Sequence, residues 1–282
     1  MQKIVDATLL RHVALEEYLQ ADPGHQAVFT DYACMECYKG NALSNIGLSL
    51  RIVSKYPEQV VVLKGTRDII RLQARGPHVR DDFIDSQQTG EFREFVRDVR
   101  SAVGGHAGLR ARVEHLANLA NEHFRQMQQD AFGVAEAIRE TAESFQPSQL
   151  AELRRPGPIS KETGDVIVRN ILTLAALLLK AHPDVAVLPT LESLRDTLVF
   201  RFGLASQLLV VRWLGKGGIE NVRMDRLRND MVDMTYVAYA TLFEGILSND
   251  RKLLGVYDES VFFLERVFGI GGEEGEGTSR GR

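Results

Sequence analysis

Five aspartates carry the chemistry that this chain of 282 residues advertises: Asp31, Asp68, Asp230, Asp233 and Asp250. Asp31 and Asp250 fall at the carboxyl ends of apolar, strand-like runs, Asp68 on the helix that follows one, and Asp230 and Asp233 on a helix of their own. Asp230 and Asp233 stand three apart on one helix and so share a face. In open parallel sheets the crevice outside the carboxyl ends of the strands is where ligands bind, and there these acids would converge. Clustered carboxylates repel one another, so some stay protonated unless a cation joins them. Oxygen-only ligands select a hard divalent ion, Mg²⁺ or Mn²⁺. Such an ion lowers the pKa of a water and offsets charge on an attacked phosphate, which is the chemistry of a phosphodiesterase.

Plainer roles stand beside this one. Asp68 reads equally well as a first-turn residue that suits a helix dipole. Asp230 reads as an N-terminal-turn residue if Asp233 is the one metal-facing acid of the pair. Glu36 is an extra ligand or, more simply, part of a solvated helix face.

Other reactive side chains lead less far. Cys34 and Cys37 form a C-x-x-C without a second pair, which points to reduced, packed thiols rather than zinc. His115 and His123 lie two turns apart and have no ligand spacing. The chain has no G-x-x-x-x-G-K-[ST] segment, so a P-loop NTPase is unsupported. Ala33 follows two after Asp31, where an aspartyl phosphatase of the D-x-D type needs a second acid.

The elements that must position the acids can be read from periodicity. Strands are expected at 27–30, 60–63 and 246–248, the second from the β-branched run Val60-Val61-Val62. Helices are expected at 7–20, with Leu9, Leu10, Val13 and Leu19 on one stripe, and at 32–43, 48–56 and 67–74, with Thr66 as a cap. Strands alternating with helices argue for α/β architecture with a parallel sheet. From 77 to 214 the pattern is helical, including strongly apolar stretches at 166–181 and 191–213. Helices at 227–244 and 258–268 close the chain. The expected organisation is therefore a discontinuous α/β core, 1–76 and 215–268, carrying a long all-helical insertion at 77–214. The Gly/Glu-rich end, 269–282, is expected to be disordered.

Composition bounds the function. Hydrophobic residues make up 44% and charged residues 26%, so the chain can build a core. The longest apolar run, near 172–179, is too short to span a bilayer. No signal-peptide pattern opens the sequence, and two cysteines cannot staple this length. A cytoplasmic protein without a membrane role is expected. The formal charge of −4 gives no global attraction for nucleic acid, so any polyanion must meet a local patch. Lys39, Lys64, Arg67, Arg228, Arg251 and Lys252 lie beside the acidic segments and are candidates for it.

Three segments, VFTDYACMEC, VVVLKGTRDII and NDMVDMTYVAYATLFEGILSNDRKL, resemble the acidic motifs of PIN-like domain nucleases. The third is the most specific: an acid, the small residues Ala238 and Ala240, Gly245, then a strand ending in Ser248-Asn249-Asp250. The resemblance covers 25–76 and 226–256. It implies a small parallel sheet flanked by helices and a Mg²⁺- or Mn²⁺-dependent nuclease. It also implies a nucleic-acid substrate, RNA ahead of DNA, with Asp31, Asp68, Asp230, Asp233 and Asp250 as metal-binding and catalytic acids. A toxin or defence effector is one role such nucleases take. The alternative is a non-catalytic interaction module with a vestigial acidic site. Its apolar helices would form a homodimer surface or seat an inhibitory partner protein.

Overall fold

A computed structural model describes residues 1–74, 79–181, 185, 189–217 and 224–269, without the side chains of 127–139, 224, 225 and 228. Residues 270–282, nearly all of the segment expected to be disordered, lie outside the described residues, and so does the side chain of Arg228.

The chain opens with a strand that the periodicity does not reveal, β1 (Gln2–Val5). There follow α1 (Val13–Ala21), β2 (Gln26–Phe29), α2 (Asp31–Glu36), α3 (Ala42–Ser49), β3 (Val60–Val62) and α4 (Thr66–Gln73). The helical stretch comprises α5 (Ser86–Val103), α6 (Ala107–Glu143), α7 (Pro147–Leu153), α8 (Lys161–Ala181), α9 (Leu191–Leu194) and α10 (Leu198–Gly215). Then come α11 (Met224–Ala240), β4 (Ile246–Leu247) and α12 (Arg251–Arg266).

The four strands form one all-parallel sheet in the order β3-β2-β1-β4. Parallel pairing needs a crossover between strands, and helices supply it. The pairs Ile4↔Val28, Ile4↔Ile246 and Val28↔Val61 set the register across the sheet. Ile4, Val5, Ala27, Val28, Phe29 and Val60–Val62 are all buried, as expected of strands covered on both faces. The chain enters β4 through Gly245, whose φ of +122° is a conformation that a side chain would strain. Its carbonyl accepts from Ile4 N at 3.0 Å, so this turn also fixes the edge strand against β1.

The helices differ from expectation at their ends, and side-chain caps explain most of the differences. The helix expected over 7–20 divides in two. Asp6 caps a 3-10 turn at Ala7–Arg11, and the His12 ring then accepts from Ala14 N to start α1. That restart turns Val13 outward, so it is exposed rather than on the apolar stripe. Thr197 divides 191–213 by capping α10. Asp250 caps α12, which therefore begins well before residue 258. The segment 48–56 keeps only a 3-10 turn at Val53–Lys55 after α3. Gly65, not Thr66, precedes α4.

No strand interrupts the described residues between 79 and 217, where the one sheet-like contact is an antiparallel bridge from Ile84 to Leu63. The helices of this stretch pack on the sheet layer directly. α5 lies on α3 and β3, α6 lies on α2, α3, α5 and α11, and α10 is wedged among α8, α11 and α12. One continuous apolar core runs through all of them. α10 is the one described helix apolar and long enough to cross a bilayer by composition, and 78% of that stretch is buried inside the fold.

Candidate cation site at the carboxyl edge of the sheet

The strand order places a topological switch between β1 and β4. From β1 the chain steps to β2 and β3 on one side, then returns through α11 to β4 on the other side. In open α/β sheets the crevice at such a point is where ligands bind. Here it is lined by Asp6 after β1, Ser248 and Asp250 after β4, and by α11 and α2.

Asp6 is the acid of this crevice that the sequence reading missed. It is buried, and it accepts from Thr8 N (3.1 Å), Thr8 Oγ1 (2.7 Å) and Ser248 Oγ (2.6 Å). Ser248 Oγ in turn accepts from Asp250 N at 3.0 Å. Asp250 Oδ1 accepts from Lys252 N (2.7 Å) and Leu253 N (3.1 Å), closing the N-terminus of α12. The signal for Asp6 was present: Ile4-Val5-Asp6 repeats the pattern of an apolar run ending on an acid that is seen at Ala27–Asp31. Lys3 kept the apolar run too short to register.

α11 carries Asp230, Asp233, Tyr236 and Tyr239 at intervals of three, so each neighbours the next while the row winds around the helix, with Asp230 and Tyr239 at opposite sides. Asp230 is buried and sits in the interior of the helix, so the first-turn reading of it is wrong. Lys252 Nζ bridges this pair, contacting Asp230 Oδ1 and standing 2.8 Å from Asp233 Oδ2. The second oxygen of Asp230, Oδ2, is buried and has no hydrogen-bond partner among the described residues. Burial raises the Asp233 carboxyl to about 6, with Asp230 and Asp250 adding to the rise and Lys252 opposing it. Burial alone would lower the Lys252 ammonium, but Asp233 and Asp230 together hold it above the ordinary lysine value.

Glu36 belongs here too, not to a solvated face. Half-buried on α2, it accepts from the Tyr236 hydroxyl at 3.1 Å. Burial raises its carboxyl; Tyr236 opposes this, while Asp6 and Asp233 add to it. The site thus gathers Asp230, Asp233 and Asp250 with Asp6 and Glu36.

Asp31 and Asp68 lie instead on the β2–β3 side. Asp31 opens α2 and accepts from Tyr32 N (2.9 Å), Thr66 N (2.7 Å) and Thr66 Oγ1 (2.8 Å). Thr66 Oγ1 is also 3.0 Å from the Tyr239 hydroxyl, which ties α4 to α11. Burial raises the Asp31 carboxyl despite these donors. Asp68 is exposed and pairs with Arg71 at 3.2 Å, one turn along α4. Neither has a contact with the Asp230–Asp233–Asp250 group among the described residues.

The basic residues divide in the same way. Lys252 lies inside the acidic group, whereas Lys39 sits over the Phe124 ring and Lys64 donates to the Asp82 carbonyl. Arg67 and Arg251 are exposed. Cys37 is buried and Cys34 partly so, both are free, and burial raises both thiols, Cys37 to about 12. Neither is a reactive thiolate.

As the side chains stand, no three His, Cys, Asp or Glu residues among those described form a group that could hold a metal ion. Two contacts account for this: Lys252 draws Asp230 and Asp233 onto itself, and Asp250 turns its Oδ1 to the start of α12. The donor set nonetheless suits a hard cation. All its members are oxygens, and Asp230 Oδ2 is buried and unpaired. No family model matches the chain, and no curated protein or solved structure shows a significant match to it.

Proposed function

We propose that this protein is a Mg²⁺- or Mn²⁺-dependent phosphodiesterase of nucleic acid, RNA ahead of DNA. The reading rests above all on one observation. Four separate parts of the chain bring Asp6, Glu36, Asp230, Asp233 and Asp250 to the switch point of a parallel sheet, and one carboxylate oxygen there is buried and unpaired. The resemblance of the segments around Asp233 and Asp250 to PIN-like nucleases adds to it.

Asp230, Asp233 and Asp250 would hold the ion, with Glu36 beside them. When bound, the cation supplies a more acidic water and positive charge against the phosphate. Asp6 acts through its neighbours: it holds Ser248, and Ser248 accepts from the backbone of Asp250, so the loop after β4 is set before any ligand arrives. Arg251 is exposed at the start of α12 and can meet the backbone of a strand. Asp31 is a structural tie between α2 and α4 in this reading, and Asp68 a surface residue.

A second reading has support of its own. Lys252 already neutralises part of the pair Asp230–Asp233, as it would in a purely structural ion network. Incubating the purified protein with a panel of labelled RNA and DNA in Mn²⁺, Mg²⁺ or EDTA separates the two. Cleavage that EDTA abolishes supports the nuclease. An inert protein whose thermal midpoint ignores Mn²⁺ supports the structural network.

A further inference from the structure

We infer that Lys252 is a resident counter-cation that closes the site between Asp230 and Asp233 and competes with a divalent ion for those carboxylates. The inference rests on the cation-site reading above and specifies how that site is regulated.

Three observations carry it. First, Lys252 Nζ occupies the space between the two acids of α11, in contact with Asp230 Oδ1 and 2.8 Å from Asp233 Oδ2. A divalent ion shared by the pair would need the same space. Second, the lysine is poorly placed for the helix that bears it. It lies in the first turn of α12, where the helix dipole disfavours a positive charge. Its position is explained by the acids opposite, not by α12. Third, the neutralisation is incomplete. One ammonium meets two carboxylates, Asp230 and Asp233, with Asp250 adding negative charge at Asp233, and Asp230 Oδ2 stays buried and, among the described residues, unpaired beside it. A single positive charge offsets part of the repulsion between these acids, and the negative charge left over still attracts a second cation.

Lysine suits this role better than arginine would. Its ammonium is a compact point charge on a flexible stem, and it can withdraw without dismantling a bidentate fork. The side chain is about a quarter exposed, so a route to solvent is open. Displaced from the acids, Nζ remains tethered at their rim, where a phosphate oxygen of a bound strand is its natural next partner.

The test uses the full chain at pH 7.5 with Mn²⁺ alone as the probe, bound ion being read from the loss of the free Mn²⁺ electron-paramagnetic-resonance signal. Wild type is compared with Lys252→Met and Lys252→Arg. The expectation is that Lys252→Met binds Mn²⁺ at least tenfold more tightly than wild type, while Lys252→Arg, still cationic, stays within a few-fold of it. Should Lys252→Met not fold, Lys252→Gln also removes the charge and carries the same expectation. Binding by Lys252→Met where wild type shows none also supports the inference. Wild-type binding with an equal or weaker affinity in the uncharged variant overturns the competition and leaves the cation site standing. Absence of Mn²⁺ binding in wild type and in the uncharged variants alike overturns the cation site itself, and the inference with it.

Discussion

Ser248 Oγ donates to Asp6 Oδ2 at 2.6 Å, joining the carboxyl ends of two neighbouring parallel strands from opposite ends of the chain. The contact makes Asp6 a structural as well as an electrostatic member of the site. Hydrogen bonds to a charged group are worth about 1.5–3 kcal/mol each. Asp6→Ala should therefore lower stability by at least about 2 kcal/mol by urea denaturation, leaving the Ser248 hydroxyl and Thr8 N–H without their acceptor. Ser248→Ala frees the exposed Asp250 N–H but leaves Asp6 Oδ2 with the Thr8 hydroxyl, so it should cost less. An Asp6→Ala protein as stable as wild type would refute this account.

Asp250→Asn and Asp233→Asn should each abolish Mn²⁺-dependent cleavage without unfolding the protein. The two differ in what else they touch. Asparagine caps a helix about as well as aspartate, so Asp250→Asn should leave α12 intact, whereas Asp250→Ala should cost about 1 kcal/mol. Cleavage assays and thermal melts on the same three variants check both halves. Full activity in Asp250→Asn would remove that carboxylate from the ion's ligands.

Asp233 makes stability depend on pH with a definite sign. Its folded value of about 6 lies above that of an unfolded aspartate, so between about pH 4 and 6 the folded state holds the proton more tightly. The native fold is then relatively favoured at the acid end of that window and loses this contribution as pH rises through 6. Glu36, also raised, acts in the same direction. The charges facing Asp233 are Asp230 on its own helix, Asp250 and Lys252 at the start of α12, and Glu36 on α2. In EDTA, the midpoint of Asp233→Asn relative to wild type should rise from pH 4 to pH 7. A difference that is flat or falls over this range would contradict the raised carboxyl.

Asp31 and Asp68 should separate cleanly. Asp68→Asn alters an exposed residue that pairs with Arg71 on its own helix. It should change stability by less than about 0.5 kcal/mol and leave cleavage in place. Asp31→Ala removes the acceptor of Thr66 N, Thr66 Oγ1 and Tyr32 N and should destabilise by roughly 2 kcal/mol or more. Urea melts with a cleavage assay decide the matter. A strong catalytic defect in Asp68→Asn at unchanged stability would return that residue to the active site.

How much was legible in the sequence depended on the range of the interaction involved. Val60-Val61-Val62 declared a buried strand, and the helical pattern from 77 to 214 declared its helices, because burial imprints composition and spacing locally. Asp233 and Asp250 were legible as a pair because the segment containing them is continuous and has a pattern of its own. Helix boundaries were less so: whether Asp6, His12, Thr197 or Asp250 caps the turn that follows depends on its side-chain rotamer, which composition does not record. The membership of the site was decided only by tertiary structure. Strand order is a long-range property. It seats β4 beside β1 and thereby puts Asp250 with Asp6, while β2 and β3 carry Asp31 and Asp68 to the other side. The same packing of α11 against α12 brings Lys252 between Asp230 and Asp233 and turns a lysine that reads as a surface charge into the partner of one buried and one half-buried acid.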